Sequence, residues 1–299
     1  SGYAHVDSPL AALAPWIGVY GVGGVAAALA AAPAVGAAAL AWRAKPLLGG
    51  VAILGALALA PLPRFTQATA TLGVALLQGN VPQNEKFSLE HLPAALAWTR
   101  AQLLAARDDL VLGAETVVPL LPQQLDPLWW QPLLEHFREP GRAALVGLPL
   151  GDEAHGYTNS AAGIAAHTAA LPDGFYRYDK HHLVPFGEVI PPLFKWFVRL
   201  MDIPLGDFKR GALAAPSFVV KGERIAPNIC YEDLFGEELA ARFNDAASAP
   251  TIFANLSNIG WFGQTIAVAQ HLNISRMRTL ELQRPMLRAT NTGATFLRQ

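Results

Sequence analysis

Two kinds of hydrophobic pattern divide the chain. Leu10–Trp42 carries no charged residue, and Pro46–Pro63 forms a second uncharged run beyond the short basic turn Trp42-Arg43-Ala44-Lys45. A bilayer core of about 30 Å needs roughly 20 apolar helical residues, so the first run has length to spare. Pro15 should sit near the helix start, and Pro33 should kink or break the helix by removing a backbone donor. These runs predict two transmembrane helices, about 10–42 and 46–63; the alternative is a pair of buried core helices. Asp7 and the long apolar core do not fit a secretory signal. Positive residues in short loops stay cytoplasmic, so Arg43 and Lys45 place everything after Pro63 outside, while Arg64 pulls the other way.

After Ala70 short apolar runs alternate with helical stretches. Strands are expected at Thr71–Leu77, Leu110–Leu112, Ala143–Leu148, Ser160–Ala165, Phe175–Tyr178, Phe218–Val220, Ile225–Ile229, Thr251–Ala254, Met286–Ala289 and Ala294–Leu297, with a turn at Gly79-Asn80. Helices are expected at Ser88–Arg107, capped by Ser88 or carrying Pro93 in the first turn, and at Glu237–Phe243 and Gln264–Leu282. Mixed strands and helices over residues 65–299 fit one α/β domain with a layered sheet core, preceded by a partial transmembrane region, 1–64.

Composition sharpens the division. Of 299 residues 52% are hydrophobic and 15% charged, against about 25% charged in soluble domains. Lys plus Arg number 22 and Asp plus Glu 23, which offers no electrostatic case for nucleic acid. One cysteine excludes an internal disulfide framework and multi-cysteine metal sites, leaving a lone thiol as candidate chemistry.

That thiol, Cys230, ends the run Ile225–Ile229. A strand end can hold a nucleophile rigidly at a cleft, and a helix starting shortly after could lower the thiol pKa; a buried structural cysteine is the competing reading. Glu115 follows the run Leu110–Leu112, where partial desolvation would raise its pKa toward that of a general base, unless it is a solvated strand-end acid. Lys180 follows Phe175–Tyr178 and could stabilise a thiolate or an oxyanion, or be a surface cation. His181-His182 does not read as a metal site, because adjacent side chains on extended backbone diverge. No metal is expected.

In order, Leu77-Gln78-Gly79-Asn80-Val81-Pro82-Gln83, Glu115, Tyr178-Asp179-Lys180-His181-His182-Leu183-Val184-Pro185-Phe186-Gly187-Glu188 and Asn228-Ile229-Cys230-Tyr231-Glu232 resemble the nitrilase superfamily, and in detail its membrane-bound branch, the bacterial apolipoprotein N-acyltransferases. Tyr157-Thr158-Asn159-Ser160, Asn255-Leu256-Ser257-Asn258, Trp261-Phe262-Gly263 leading to Gln270-His271, Arg276–Glu281 and Arg284–Arg288 extend the resemblance over nearly the whole chain. It implies a nitrilase-like αββα sandwich behind two transmembrane helices, with Glu115 as general base, Lys180 as the cation of the reaction centre and Cys230 as acylated nucleophile. Glu188, Tyr231, Glu232 and Asn159 match supporting positions. Phe87 stands where that family often has Trp beside the substrate entrance, and Ala114 where Pro commonly precedes the base, so substrate contact and local rigidity should differ.

The implied activity is transfer of an acyl chain from the sn-1 ester of a membrane phospholipid, through a Cys230 thioester, to the α-amino group of a diacylglyceryl-cysteine lipoprotein. No cofactor is implied. The implied location is the bacterial inner membrane, multi-pass, with the catalytic domain on the periplasmic side. That family has more membrane helices than are visible here, so the chain is expected to be truncated at both ends. Pro191–Gly211, crowded with apolar residues and edged by basic ones, reads either as an amphipathic element at the membrane surface, with Trp196 and Phe197 as a lipid-facing lid, or as a helix packed on the sheet. The rival functions are a membrane-tethered C–N hydrolase acting on small amides or nitriles and a scaffold without chemistry.

Overall fold

The computed structural model describes residues 2–38, 49–53, 55, 65–83, 85–86, 88–185, 187–189, 208–263, 265–293 and 295–298. The chain divides into two compact units, one of residues 1–69, 264–286 and 298–299 and the other of residues 70–263 and 287–297.

The second unit is built on two five-stranded sheets. Strands β1 (Val74–Leu76), β2 (Leu110–Leu112), β3 (Ala143–Asp152), β4 (Gly156–Ala165) and β5 (Tyr176–Asp179) lie in chain order in the first. In the second, β6 (Phe218–Val220), β7 (Glu223–Ile229), β8 (Ile252–Ser257), β9 (Met286–Thr290) and β10 (Phe296–Arg298) also follow chain order. β1, β2 and β3 run parallel; β4 returns antiparallel to β3, and β5 antiparallel to β4.

Side-chain alternation along each strand explains the layering. Leu110 and Leu112 of β2 and Ala143 and Leu145 of β3 belong to one apolar cluster with Ile225, Ile229, Ala254 and Leu256 of the second sheet. The intervening Val111, Ala144 and Val146 face the other way and pack with Leu103 of helix α2 (Leu92–Ala105) and with Trp130, Leu133, Leu134 and Phe137 of α3 (Pro127–Arg138). Those four α3 residues recur at i, i+3, i+4 and i+7, the stripe of a helix lying on a sheet.

α3 is not among the helices expected from the sequence, and it carries two prolines, Pro127 and Pro132. Each is tolerated for its own reason. Pro127 occupies the first turn, where its missing donor costs nothing, and the Asp126 side chain accepts from Leu128 N–H as N-cap. Pro132 lies inside the helix and removes one intrahelical hydrogen bond, and the apolar stripe on either side of it packs in the core all the same. Helix α2 begins at Leu92 with Pro93 in its first turn and no side-chain cap, so Ser88 caps nothing there; it supplies a backbone acceptor to Leu92.

In the first unit, α1 (Ala14–Ala38) follows a 3-10 turn, Pro9–Leu13. Among the described residues one helix is long and apolar enough to cross a membrane, Pro9–Ala32, 24 residues of mean hydropathy 1.6. The expectation of two such helices is corrected to that one; most of the second run, 46–63, lies outside the described residues. The helical backbone continues through Pro33, and the break falls instead at Gly18, φ 64 and ψ 178. Only glycine enters that left-handed region without a Cβ clash, and the Glu281 carboxylate accepts the Val19 N–H beside it. Glu281 is paired with Arg278 at 2.8 Å on helix α5 (Ala267–Leu282).

Candidate active site

The candidate site gathers at the ends of β2, β5 and β7. Beyond β2 the chain turns through Gly113–Val118, held on β3 by Gly113 N–H to Leu145 O at 2.9 Å and Val118 N–H to Gly147 O at 3.1 Å. Gly147 is required by close approach: a Cβ there would lie 2.7 Å from Thr116 N and 2.9 Å from Glu115 Cα. This seat fixes Glu115, which is buried.

Both oxygens of the Glu115 carboxylate have donors. Oε1 accepts from Asn159 Nδ2 at 2.8 Å and Lys180 Nζ at 3.3 Å, and Oε2 accepts the Asn258 backbone N–H at 2.8 Å. Lys180, only 1% exposed, also donates to Glu188 Oε1 at 2.9 Å, and Asn159 Nδ2 reaches that same oxygen. Glu188 Oε2 in turn accepts Val184 N–H at 2.9 Å. Asn159 thus bridges two acids around one ammonium.

Cys230 follows β7 with φ 57, a left-handed conformation costly for a residue with a Cβ. Polar groups hold it there. Asn255 Nδ2 donates to Cys230 O at 2.9 Å and to Asn228 Oδ1 at 2.6 Å. Arg288, buried on β9, donates to Asn255 Oδ1 at 2.7 Å and pairs with Asp233 at 3.4 Å. Glu232 fastens the cysteine turn to the lysine turn. Its Oε2 accepts Ile229 N–H at 2.6 Å and Tyr178 O–H at 2.8 Å, while Oε1 accepts the N–H groups of His181 at 2.7 Å and His182 at 3.0 Å. Burial raises its pKa, against the opposing pull of Lys180 and of the Ile229, His182 and Tyr178 donors. The Tyr231 ring lies 5.7 Å from Lys180 Nζ, and its hydroxyl donates to Leu183 O at 2.8 Å.

The electrostatics correct two expectations. The Cys230 thiol is pushed up to about 12, first by burial and then by Glu115, with Lys180 opposing. It therefore rests protonated: the helix behind it, α4 (Gly236–Ala240), is short and does not offset desolvation. Burial would raise the Glu115 pKa, but Lys180, Lys86, Asn159 and the Asn258 amide outweigh it and hold the carboxyl below its ordinary value. For Lys180 burial acts downward, and Glu115, Cys230, Glu188 and Glu232 together drive its pKa above the ordinary lysine value. At neutral pH the resting pair is an ionised acid and a neutral thiol.

Direct hydrogen bonds thus join Glu115, Lys180, Glu188 and Asn159, and Cys230 is linked to Glu115, Lys180 and Glu188 through their charges. Phe87, Trp196 and Phe197 lie outside the described residues. His181 and His182 do diverge, to Gly211 O and to Glu238. Sequence reasoning gave no role to Lys86, Asn255, Asn258 or Arg288. Lys86 is 6% exposed and donates to the backbone carbonyl of Glu115 at 2.8 Å; its place in a polar loop carries no pattern that separates it from a surface lysine.

The two-sheet sandwich carries a buried acid after β2, a buried lysine after β5 and a cysteine after β7, and the carbon-nitrogen hydrolase family matches residues 131–298, so the chain belongs to it. Among individual proteins it is similar to apolipoprotein N-acyltransferases. That of Verminephrobacter eiseniae is 53% identical over 99% of this chain, and that of Ralstonia nicotianae 48% identical over 98%. The chain spans 57% and 55% of those two proteins. Among solved structures, a carbon-nitrogen hydrolase from Helicobacter pylori is 15% identical, covering 74% of both chains with a TM-score of 0.47. An amidase from Nesterenkonia is 18% identical, covering 74% of this chain and 78% of its own with a TM-score of 0.45.

Proposed function

We propose that this chain carries the catalytic part of an acyltransferase that moves an acyl chain from a membrane phospholipid to the N-terminal amine of a diacylglyceryl-cysteine lipoprotein. The observation that carries the chemistry is the buried, fully hydrogen-bonded Glu115 carboxylate coupled to both Lys180 and the neutral Cys230 thiol. The acyltransferases that share about half of its residues support the substrates, and the apolar helix of the first unit supports a membrane setting. On this reading the protein sits in the bacterial inner membrane with the sandwich on the periplasmic side.

The thiol gives up its proton only as sulfur bonds to carbon, because the resting carboxylate is a weak acceptor for so weak an acid. Glu115 takes that proton while Sγ attacks the sn-1 carbonyl carbon. The carbon–oxygen bond to glycerol then breaks, and the Glu115 proton passes to the departing glycerol oxygen. In the second half the lipoprotein amine attacks the thioester, Glu115 accepts an amine proton, the carbon–sulfur bond breaks and the proton returns to sulfur. Lys180 faces the charge that develops at each tetrahedral stage, and water must stay out or the thioester hydrolyses.

Intact-mass measurement after exposure of the full chain to phospholipid in detergent micelles tests this. One acyl increment is expected on the protein and none on Cys230→Ala, and a diacylglyceryl-cysteine peptide should discharge it much faster than buffer. An unmodified cysteine would refute the relay; equal discharge by buffer and peptide would identify a C–N hydrolase type of activity instead.

A further inference from the structure

Lys86 is a buried cation to which the mechanism above gives no part. Its ammonium is anchored on the carbonyl of Glu115, the residue whose carboxylate already receives Lys180. It therefore approaches the acid from its main-chain side while Lys180 approaches from the carboxylate side. Around it lies a cavity of about 20 Å³, walled by Ala95, Trp98 and Thr99 of α2 and by Ala114, Thr116 and Asn291. That space is enough for one water, and none of those walls carries a titratable group. The charges that raise the Lys86 pKa are those of Glu115 and Cys230, and Glu115 is itself paired to Lys180, with Glu188 beyond it.

We infer that Lys86 is a positioning residue of the reaction centre, a second cation that holds Glu115 in its seat and lends positive potential to the Cys230 sulfur. This rests on the reading of Cys230 as the nucleophile. Two lysines on one acid do different work. Lys180 has two carboxylate partners at 3.3 and 2.9 Å, so much of its charge is answered at the acids themselves. Lys86 grips the main chain of the acid, and Glu115 and Cys230 both raise its pKa against burial. Desolvation, partly offset by Glu115 and Cys230, lowers its pKa to about 8. Its contribution is therefore present below that pH and fades above it.

The test is the pH profile of Cys230 alkylation by iodoacetamide in the full chain, which has no other cysteine and needs no acyl donor. Lys86→Met removes charge and anchor, Lys86→Gln keeps an N–H donor without charge, and Lys86→Arg keeps a charge that does not titrate. Met and Gln variants should alkylate roughly two- to threefold more slowly at pH 7.5, with profiles displaced to higher pH, because an opposite charge favours the thiolate. The Arg variant should match the wild type below pH 8 and exceed it above. A Gln variant at the wild-type rate, an unchanged Met variant, or an Arg variant that falls with Met would overturn the inference. So would loss of the folded circular dichroism signal in both Met and Gln variants, which would make Lys86 a structural anchor only. A protein whose alkylation follows Lys86 but which never takes an acyl group keeps the inference and loses the acyltransferase reading; the reverse outcome separates them the other way.

Discussion

Replacing Glu232 by Gln changes one oxygen to an NH₂ group without changing shape, and the structure says where that group must go. At the Oε1 position it would confront two main-chain donors, His181 and His182, neither of which can turn round. At the Oε2 position it meets Ile229 N–H and the Tyr178 hydroxyl, and only the hydroxyl can rotate to accept. The new amide should therefore keep both histidine N–H groups and reverse the tyrosine bond, leaving the Ile229 N–H beside Cys230 orphaned. A buried donor without a partner costs about 1–3 kcal/mol, and the remaining bonds lose their charge assistance. The sum is roughly 2–4 kcal/mol, or about 5–15 °C in a domain of this size. Denaturant unfolding of the two proteins in the same detergent gives the difference. Glu232→Ala, which strands all four donors, should cost more. A loss under about 0.5 kcal/mol for the Gln variant, or a Gln variant less stable than the Ala variant, would refute the assignment of donors.

Further outcomes follow from the same region. Glu115→Gln should slow Cys230 acylation by roughly 10²–10⁴-fold, read by intact mass against time. Because its folded pKa is depressed, Glu115 contributes stability that is full above its unfolded value and lost as pH falls through the folded one; acid unfolding of Glu115→Gln should therefore be shallower on that limb than in the wild type. Gly147→Ala drives a methyl into the backbone of residues 114–116 and should cost about 1–3 kcal/mol while slowing alkylation of Cys230, measured on the same preparation. Asp126→Ala removes the cap of α3 and should cost about 1 kcal/mol with no change in Cys230 reactivity.

The strands were legible because their apolar runs are bounded by Gly, Pro and charged residues. β2, β7 and β9 fall where alternation and burial place them. What a run does not reveal is its partner: nothing local tells that β1, β2 and β3 pair in parallel while β4 returns antiparallel. The stripe Trp130, Leu133, Leu134 and Phe137 is present in the sequence of α3, yet that helix is not among those expected. Acid, lysine and cysteine at strand ends could be suspected from position alone. Their ionisation could not, because Glu115 owes its lowered pKa in part to Asn159, Asn258 and Lys86, which stand 44, 143 and 29 positions away. Desolvation is a local inference; the donors that cancel it are assembled by the fold.

The resting state of Cys230 has a consequence for survival as well as for turnover. Oxidants and stray electrophiles react with sulfur as the anion, and burial keeps this sulfur in its neutral form. Disulfide-forming oxidants would find little thiolate to attack. The protein thereby stores its single thiol in a passive form.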